Sequence, residues 1–190
     1  MESVLLHCCC APCSVYCVDL LRSEGIEPIG FWYNPNIHLY EEYRMRRETM
    51  IEYAQKIQMP LEIVDEYGLR KFVQAVGHNV QERCVYCYSS RLNATAKKAK
   101  ELGLRYFSST LFISPYQDGA LMRTLALQAA ENHGVEFLDR DFAQGYRQGH
   151  TQARELGLYM QKYCGCVFSE EERYAKKIEK DQIRFGGVEK

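Results

Sequence analysis

The stretch LLHCCCAPCSVYC, Leu5–Cys17, places a short apolar run directly before a cluster of cysteines. Residues 3–7 have the character of a short buried strand, and residues 13–24 have the pattern of a helix that ends at Gly25. The cysteines between them therefore fall at a strand-to-helix turn. Backbone N–H groups and the helix dipole at such a turn favour thiolate over thiol. The stretch predicts an α/β fold with thiols, in place of a glycine-rich phosphate loop, at its first turn.

The rest of the chain continues this alternation of strands and helices. Further strands are predicted at residues 26–34, 61–67, 105–114 and 135–142. Further helices are predicted at residues 39–57, 69–76, 86–102, 118–133, 147–157 and 169–180. The last of them is predicted to have Ser169 as its N-cap and Glu172 at the capping-box position. Such alternation predicts a parallel sheet with helices on both faces.

The composition excludes several classes of protein. The chain has 190 residues, a formal net charge of −1 and 46% hydrophobic residues, which is typical of a globular domain and not of a globally basic nucleic-acid binder. No apolar run approaches the roughly 20 residues of a membrane helix. The first ten residues, MESVLLHCCC, do not resemble a signal peptide. We therefore expect a cytoplasmic protein with no membrane partner.

The predicted topology also indicates where a functional site should lie. In open parallel sheets, ligands bind beyond the carboxyl ends of the strands. Cys8–Cys13 follow the first predicted strand, Ser108–Ser114 lie on and beyond the penultimate one, and Asp139 and Asp141 close the last one. We expect these three stretches to converge on one crevice.

The number of cysteines points to metal or redox chemistry. Nine cysteines are unusual for a cytosolic protein, where metal ligation and redox reactions are the expected uses. Four thiolates are enough for one [4Fe–4S] cluster or one structural zinc. The larger number predicts a cluster together with a second metal or a redox-active cysteine pair. The cysteines that form spaced groups are Cys9-Cys10-x-x-Cys13, Cys84-x-x-Cys87 and Cys164-x-Cys166.

Two further questions stay open at the level of the sequence. For Cys8 and Cys17, a role as small buried side chains explains the sequence as well as ligation does. A second iron or zinc centre would also accept a carboxylate ligand. Asp141, in LDRDF at a predicted strand end, is the best placed, and Asp118, in SPYQD, is its rival. A helix cap or a turn explains either aspartate alone equally well.

The order of these motifs resembles that of the QueH family of epoxyqueuosine reductases. The matching elements span nearly the whole chain, which makes the resemblance far more specific than any single C-x-x-C motif. They are LLHCCCAPCS, FWYNPNIHLYEEYRMR, ERCVYCYSSRL, SSTLFISPYQD, LDRDFAQGYRQG and ARELGLYMQKYCGCVFS. One departure is Ala143, which stands where an arginine is expected in the family, so a phosphate contact at that position is in doubt.

The resemblance implies a fold, a reaction and cofactors. The implied fold is a three-layer α/β/α Rossmann-like domain of the HUP class, which includes the PP-loop enzymes, with a mostly parallel sheet. The implied reaction is the reduction of epoxyqueuosine in tRNA to queuosine, without cobalamin and with an external electron donor. The implied cofactors are a [4Fe–4S] cluster and a second, mononuclear metal, iron or zinc. The implied ligands are Cys9, Cys10, Cys13, Cys84, Cys87, Cys164 and Cys166.

The resemblance also suggests roles for polar residues. Asp141 is our nominee as a ligand of the second metal or as the acid that protonates the departing epoxide oxygen. Three residues after the second strand are predicted to lie above the crevice and to bind the modified nucleoside. They are Asn34, Asn36 and His38. An Asn-Pro-Asn turn followed by a helix cap explains these three residues equally well from the sequence.

Contacts with tRNA are less well specified. For most of the basic residues near the motifs, a solvated helix face is predicted, with contacts to tRNA phosphates as the alternative. These residues are Arg44, Arg46, Arg47, Arg91, Lys97, Lys98 and Lys100. His150 has no spacing that indicates a site and is predicted to be exposed. Enzymes that act on one RNA base usually extrude it and stack it on aromatic side chains. The tyrosines next to the motifs are Tyr33, Tyr40, Tyr86 and Tyr116.

We expect a single α/β iron–sulfur domain over residues 1–190, with the cysteine-bearing C-terminal segment and helix, about 158–190, packed onto it. Two other functions compete with the reductase. A tRNA sulfur transferase of the PP-loop type with an iron–sulfur cluster would need an ATP cradle, and the glycine-rich loop for one is missing. A zinc-stabilised nucleic-acid-binding module would be colourless, although an α/β domain of this length does not need zinc to fold.

Overall fold

The computed structural model describes residues 2–186 and contains five β-strands and seven α-helices within them. The strands are β1 (Glu2–His7), β2 (Ile26–Trp32), β3 (Leu61–Ile63), β4 (Tyr106–Ser109) and β5 (Glu136–Phe137). The helices are α1 (Ala11–Ser23), α2 (Tyr40–Lys56), α3 (Leu69–Val76), α4 (Arg83–Glu101), α5 (Gly119–His133), α6 (Tyr146–Glu155) and α7 (Val167–Phe185). Each of these elements overlaps one of the predicted strands or helices.

The strands form one parallel sheet in the order β3-β2-β1-β4-β5. Leu5 in the central strand β1 pairs with Ile29 of β2 on one side and with Phe107 of β4 on the other. Leu5 is completely buried. Strands that are covered on both faces need continuous apolar runs, which explains the composition of β1. The predicted parallel sheet is confirmed.

Helices cover both faces of the sheet. α1 packs against α2 and α6, whereas α4 packs against α3 and α5. The chain moves from β1 to β3 toward one edge of the sheet and then returns to add β4 and β5 on the other side of β1. Because the crossovers between parallel strands are right-handed, α1 and α2 lie on one face and α4 and α5 on the other. The predicted three-layer α/β/α architecture is therefore confirmed. β1 and β4 are therefore neighbours, and the segments that follow them lead to helices on opposite faces of the sheet. This arrangement opens a crevice at the carboxyl ends of the two strands.

The strands next to this crevice are shorter than predicted. β4 ends at Ser109 because the Ser109 hydroxyl accepts a hydrogen bond of 3.2 Å from the N–H of Leu111 and so caps a 3-10 turn, Thr110–Ile113. After β5, Leu138 still donates its N–H to the carbonyl of Phe107 at 2.8 Å, and the chain then leaves the sheet. Local side-chain hydrogen bonding thus outweighs the strand propensity of the β-branched residues.

The beginning of α7 also differs from the prediction. Its N-cap is Cys166, whose Sγ accepts a hydrogen bond of 3.4 Å from the N–H of Ser169. Ser169 therefore lies inside the helix, and Glu172 pairs with Arg83 at 2.5 Å instead of closing a capping box. The predicted N-cap was wrong because a thiol takes the place of the usual capping oxygen.

The C-terminal segment contacts α3 and α4 through its first residues. Phe168 lies against Phe72 with ring centroids 6.2 Å apart, and Cys166 belongs to the same buried cluster as Phe72. Met1 and residues 187–190 of the predicted domain lie outside the described residues, and the single-domain organisation stays a prediction. Between residues 2 and 186, no helix combines the length and the apolar character that crossing a membrane requires.

Candidate metal centre

A cavity of about 280 Å³ lies in the crevice beyond β1 and β4. Its floor is formed by three cysteines at the beginning of α1, and we call it the main cavity. Thr110 and Ser114, beyond the end of β4, also line it. Two of the three stretches expected to converge here, Cys8–Cys13 and Ser108–Ser114, therefore meet. The three cysteines of the floor are Cys9, Cys10 and Cys13.

The three thiols of the main cavity are close enough to share one metal ion. The sulfur atoms of Cys9, Cys10 and Cys13 all lie within 4.8 Å of one another. Cys10 is the N-cap of α1, and Pro12 lies in its first turn, where a missing N–H costs nothing. The thiols of three nearby residues at one strand–helix junction thus point toward a common centre. This cluster could hold a metal.

Protons are unequally shared in this cluster. Hydrogen bonds from the thiols of Cys10 and Cys13 lower the pKa of Cys9 well below its ordinary value. Burial raises the pKa of Cys10, and the hydrogen bond to Cys10 raises the pKa of Cys13. Cys9 therefore loses its proton most readily, and a metal that binds all three sulfurs must displace the protons that remain on the others.

Two polar side chains complete the floor of the main cavity. Gln161 donates from its Nε2 to the Sγ of Cys10 at 3.0 Å and to the Sγ of Cys13 at 3.5 Å. Thr110 accepts the N–H of Cys9 at 3.0 Å and donates its hydroxyl to the Sγ of Cys9 at 3.2 Å. Donors that point at sulfur stabilise the thiolate form and fix its position.

A second cavity of about 170 Å³ lies beside the first, and we call it the four-cysteine cavity. Two of its cysteines begin α4, and the other two come from the turn before α7. Its cysteines are Cys84, Cys87, Cys164 and Cys166. Burial raises the pKa of Cys87 to about 12, so its thiolate form needs a cation or a metal beside it.

The two cavities share part of their lining. Cys164, Gln117 and Tyr116 border both of them. Gln117 donates from its Nε2 to the Sγ of Cys164 at 3.2 Å and accepts the hydroxyl hydrogen of Tyr88. The structure thus brings all seven grouped cysteines into two adjoining cavities.

Buried arginines hold the second and third cysteine groups, which corrects the prediction that they lie on solvated helix faces. Arg46 is 3% exposed and donates to the carbonyl oxygens of Cys164 and Tyr163, each at 2.9 Å. Arg91 is 2% exposed and donates to the Sγ of Cys87 at 2.9 Å. Neither guanidinium is available for tRNA phosphates in this arrangement.

The turn between the last two cysteines needs glycine. Gly165 has a φ of +147°, which L side chains rarely adopt. A Cβ at this position would lie 3.2 Å from Cγ1 of Ile37 and 3.4 Å from the guanidinium of Arg46. The absence of a side chain therefore lets the turn pack closely against the Arg46 side chain.

The three residues predicted to bind the nucleoside do not line the main cavity. Asn34 is fully buried and donates from its Nδ2 to the carbonyl of Cys8 at 2.9 Å. His38 is also fully buried, and its Nδ1 accepts the N–H of Val167 at 3.4 Å. Asn36 lines the four-cysteine cavity. The expected position over the crevice was therefore wrong for Asn34 and His38, because both are used inside the protein.

The predicted carboxylates also lie apart from the thiols. Asp141 is exposed, accepts the N–H of Ala143 at 3.2 Å and is not among the residues that line the main cavity. Asp139 pairs with Arg123 at 2.5 Å. Asp118 is the N-cap of α5 and accepts the N–H of Leu121 at 2.9 Å. The roles of Asp141 as a ligand or an acid stay predictions.

Cys8 and Cys17 lie apart from both cavities. Each is fully buried and donates its thiol to a backbone carbonyl at 3.3 Å, Cys8 to Leu6 and Cys17 to Cys13. Burial raises the pKa of Cys8 to about 12. Both thiols behave as small core side chains.

The sequence analysis missed several residues of the main cavity, and four of them bear on its chemistry. Gln161 and Gln117 carry no spacing signal, because a glutamine that contacts a thiol looks like any surface glutamine in a sequence. Tyr146 and His150 lie four positions apart on α6, and that spacing was the one available signal that they share a helix face. His150 was predicted to be exposed, whereas its Nε2 is buried.

Comparisons with known proteins identify relatives over most of the chain. The family model described as epoxyqueuosine reductase QueH matches residues 4–172. The protein named epoxyqueuosine reductase QueH from Dehalococcoides mccartyi is 38% identical over 173 residues, which are 91% of this chain and 95% of the relative. The protein of the same name from Thermotoga maritima is 35% identical over 189 residues, covering 94% of this chain and 96% of the relative.

A solved structure resembles the fold. The structure described as a predicted subunit of a tRNA methyltransferase from Methanocaldococcus jannaschii superposes with a TM-score of 0.56. It covers 95% of this chain and 88% of its own, at 12% sequence identity. This likeness supports the α/β architecture.

Proposed function

Because the chain belongs to the QueH family of epoxyqueuosine reductases, we propose that it acts on tRNA through two thiol-bound metal centres, one in each cavity. As an epoxyqueuosine reductase it is an oxidoreductase. The reaction breaks the two C–O bonds of the epoxide, forms an alkene and releases the oxygen as water. It consumes two electrons and two protons, and the electrons come from an external donor. A tRNA substrate agrees with a cytoplasmic location.

The observation that carries the proposal is the sorting of seven cysteines into two adjoining cavities. A [4Fe–4S] cluster takes four thiolates, which is the number that the four-cysteine cavity offers. Four cysteines line the main cavity, and three of them, Cys9, Cys10 and Cys13, have sulfur atoms within 4.8 Å of one another, whereas Cys164 is shared with the four-cysteine cavity. Catalytic metal sites characteristically have three protein ligands and one open position. We therefore assign the cluster to the four-cysteine cavity and the mononuclear iron or zinc to the main cavity.

An unpaired polar side chain supports the presence of a bound group in the four-cysteine cavity. Asn36 is 3% exposed, and within residues 2–186 neither its Nδ2 nor its Oδ1 has a hydrogen-bond partner. Burying an amide without a partner costs about 1–3 kcal/mol by protein mutational data. The Nδ2 of Asn36 is able to donate to a sulfur atom of a group bound among the cysteines, which removes the part of this penalty that comes from the unpaired N–H groups.

The chain's own residues prepare the main cavity for the reaction. When bound, an iron–sulfur cluster supplies electrons one at a time, and a metal with an open position polarises the epoxide oxygen. Gln161 and Thr110 hold the sulfur atoms of Cys10 and Cys9 in place. Arg91 lines the main cavity and contacts Cys87, so its buried charge lies between the two groups of thiols. A cation in this position favours the addition of an electron on either side.

The alternative PP-loop sulfur transferase requires ATP. After β1 such an enzyme carries a glycine-rich loop, whereas this chain has Cys8, Cys9 and Cys10 before the N-terminus of α1. The turn therefore lacks the glycines that let backbone N–H groups approach a pyrophosphate closely. The geometry therefore favours the reductase.

The experiment that tests the proposal is the measurement of iron, zinc and acid-labile sulfide in protein purified without oxygen. We expect about five metal ions and about four sulfides per chain, with the visible absorption of an iron–sulfur cluster. Cys84→Ser should lose most of the sulfide, whereas Cys13→Ser should lose about one metal ion and keep the sulfide. Zinc alone, without sulfide or colour, would contradict the proposed chemistry.

A second step tests the reaction itself. The anaerobic protein is mixed with tRNA that contains epoxyqueuosine and with a strong chemical reductant, and the nucleosides are analysed after digestion. We expect queuosine to appear with wild-type protein and not with the Cys13→Ser variant. Turnover that depends on ATP and adds sulfur to tRNA would instead support the sulfur transferase.

A further inference from the structure

One wall of the main cavity is aromatic. It consists of Tyr116, Tyr146 and His150, and we call it the aromatic wall. Tyr116 meets Tyr146 edge-on with ring centroids 6.0 Å apart and planes at 83°. Tyr146 lies over His150 with centroids 4.3 Å apart. The three rings therefore form one series of aromatic contacts in the lining of the cavity that also contains the thiols of Cys9, Cys10 and Cys13.

The outermost ring of this wall is unusually exposed. Tyr116 is 83% exposed, the largest value among the exposed large apolar side chains of the described residues. An exposed ring at the rim of a cavity offers a free face for stacking. His150, at the inner end of the wall, has a buried Nε2 that lacks a hydrogen-bond partner within the described part of the chain. The wall thus combines a free stacking face with an unsatisfied polar atom inside.

We infer that the aromatic wall binds the extruded nucleoside of the tRNA, with its heterocyclic base stacked on Tyr116 and a polar group of the nucleoside bonded to Nε2 of His150. The inference rests on the proposed function, because it takes the modified nucleoside as the substrate. Enzymes that alter a base must remove it from the stack and compensate for the lost stacking, and aromatic side chains supply this compensation.

The dimensions of the cavity agree with this arrangement. At about 280 Å³ the main cavity is close to the lower end of typical small-molecule sites, which begin at about 300 Å³. It has room for one nucleoside substituent and not for a stretch of RNA. The base therefore remains at the mouth, where Tyr116 lies, while the ring that bears the epoxide reaches the thiols of Cys9, Cys10 and Cys13.

The inner end of the wall contributes hydrogen bonding. Burial and the nearby charge of Arg154 lower the pKa of His150, so its ring is neutral near pH 7 and carries one donor and one acceptor nitrogen. Arg154 and Tyr146 on α6 flank His150, and the thiols of the main cavity face it from α1. A neutral imidazole is able to bond a hydroxyl group of the nucleoside as donor or as acceptor.

The test is a steady-state measurement on anaerobically prepared enzyme that contains its metals, with epoxyqueuosine-containing tRNA and dithionite. We expect Tyr116→Ala to raise KM about tenfold and to change kcat by less than about twofold, since a stacked base contributes to binding rather than to the chemical step. Tyr116→Trp and Tyr116→Phe should restore KM because they keep an aromatic face. His150→Phe keeps the contact with Tyr146, loses the hydrogen bond and should raise KM about fivefold.

The matched control is Phe185→Ala, which removes a 74% exposed aromatic side chain that does not line the main cavity and should leave KM unchanged. Iron and sulfide content is measured for every variant and should equal that of the wild type. An unchanged KM in Tyr116→Ala, or equal effects of Tyr116→Ala and Phe185→Ala, would overturn the assignment of the wall. Absence of queuosine with the wild-type enzyme would instead overturn the proposed function.

Discussion

The guanidinium of Arg46 donates a hydrogen bond of 2.9 Å to the main-chain carbonyl of Cys164, although 118 positions separate the two residues in the chain. The same guanidinium pairs with Glu42 at 2.6 Å, with side chains only 3% and 12% exposed. Arg46 therefore connects α2 to the turn that carries the third cysteine group. Because main-chain carbonyls accept these bonds, the contact fixes the path of the backbone and, with it, the positions of both sulfur atoms.

The first prediction concerns this contact. Arg46→Met should destabilise the protein by about 3–5 kcal/mol, because it leaves the largely buried carboxylate of Glu42 without its cationic partner, with only the hydroxyl of Tyr159 still donating to it. It should also lower iron and sulfide content, since Cys164 and Cys166 lose their anchor. Denaturant unfolding and metal analysis of anaerobic protein check both effects. Arg44→Met, at the exposed pairs of Arg44 with Glu41 and Glu48, is the matched control and should leave both quantities unchanged. Equal behaviour of the two variants would contradict the anchoring role.

The second prediction concerns the turn between the last two cysteines. Gly165→Ala should lose stability through backbone strain of about 1–3 kcal/mol and should lose sulfide as well, because the new Cβ pushes against Ile37 and Arg46. Gly157→Ala is the control, since Gly157 also has a positive φ, +70°, but has open space around its Cβ position. We expect the control to lose stability and to keep its sulfide. Sulfide analysis of both variants distinguishes strain from the loss of ligand geometry.

The third prediction separates structural thiols from ligands. Cys17→Ala should cost about 1 kcal/mol, the ordinary effect of a single substitution, and should retain full metal content. Cys13→Ala, one helical turn earlier, should lose metal from the main cavity. The same comparison applies to Cys8→Ala and Cys9→Ala. Metal loss in Cys17→Ala or Cys8→Ala would place those thiols among the ligands and would refute the assignment of seven.

The fourth prediction is a pH dependence of stability. Burial lowers the pKa of His38 from its ordinary value of 6.5 to about 4. The imidazole is therefore neutral in the folded protein at pH 5, whereas the unfolded chain binds a proton there. Stability consequently falls as the pH drops from about 6.5 toward 4, by about 2 kcal/mol at pH 5.

Denaturant unfolding at pH 7 and pH 5 measures this effect of His38. The variant His38→Gln has no titratable group at this position and keeps the other four histidines, so its stability should depend less on pH than that of the wild type. Because Gln is able to replace at least one of the hydrogen bonds of His38, the variant should remain folded at pH 7. Identical pH profiles for the two proteins would show that His38 is not buried in its neutral form.

The layers of the fold could be predicted from the sequence, and the limits of its strands could not. The apolar run of β1 and the turn cysteines that follow it are enough to predict a buried parallel strand beside a helix. The end of β4 depends on the hydroxyl of Ser109, which accepts the N–H of Leu111 and competes with the sheet. This competition involves hydrogen bonds and not the spacing of apolar residues, so the apolar pattern does not predict where β4 ends.

The candidate functional site, too, could be predicted from the sequence only in part. Its seven thiols could be predicted because their spacing is local, within five residues in each group. Their distribution between two cavities depends on how the crossovers place α4 and α7, and spacing alone does not contain this information. The burial of Arg46 could not be predicted either, because its partners Cys164 and Tyr163 are distant in sequence while its neighbour Glu42 suggests a solvated face.

The four cysteines of the four-cysteine cavity come from two distant parts of the chain. This separation determines when the proposed cluster is able to bind. Cys164 leaves the ribosome 80 residues after Cys84. At a synthesis rate of about 5–20 residues per second, the first pair of thiols waits about 4–16 seconds for the second. A nascent chain therefore offers an incomplete set of ligands throughout this interval, and its unpaired thiols are open to oxidation. On the proposed assignment, the cluster of this cavity is completed only after the turn that carries Cys164 and Cys166 has been synthesised.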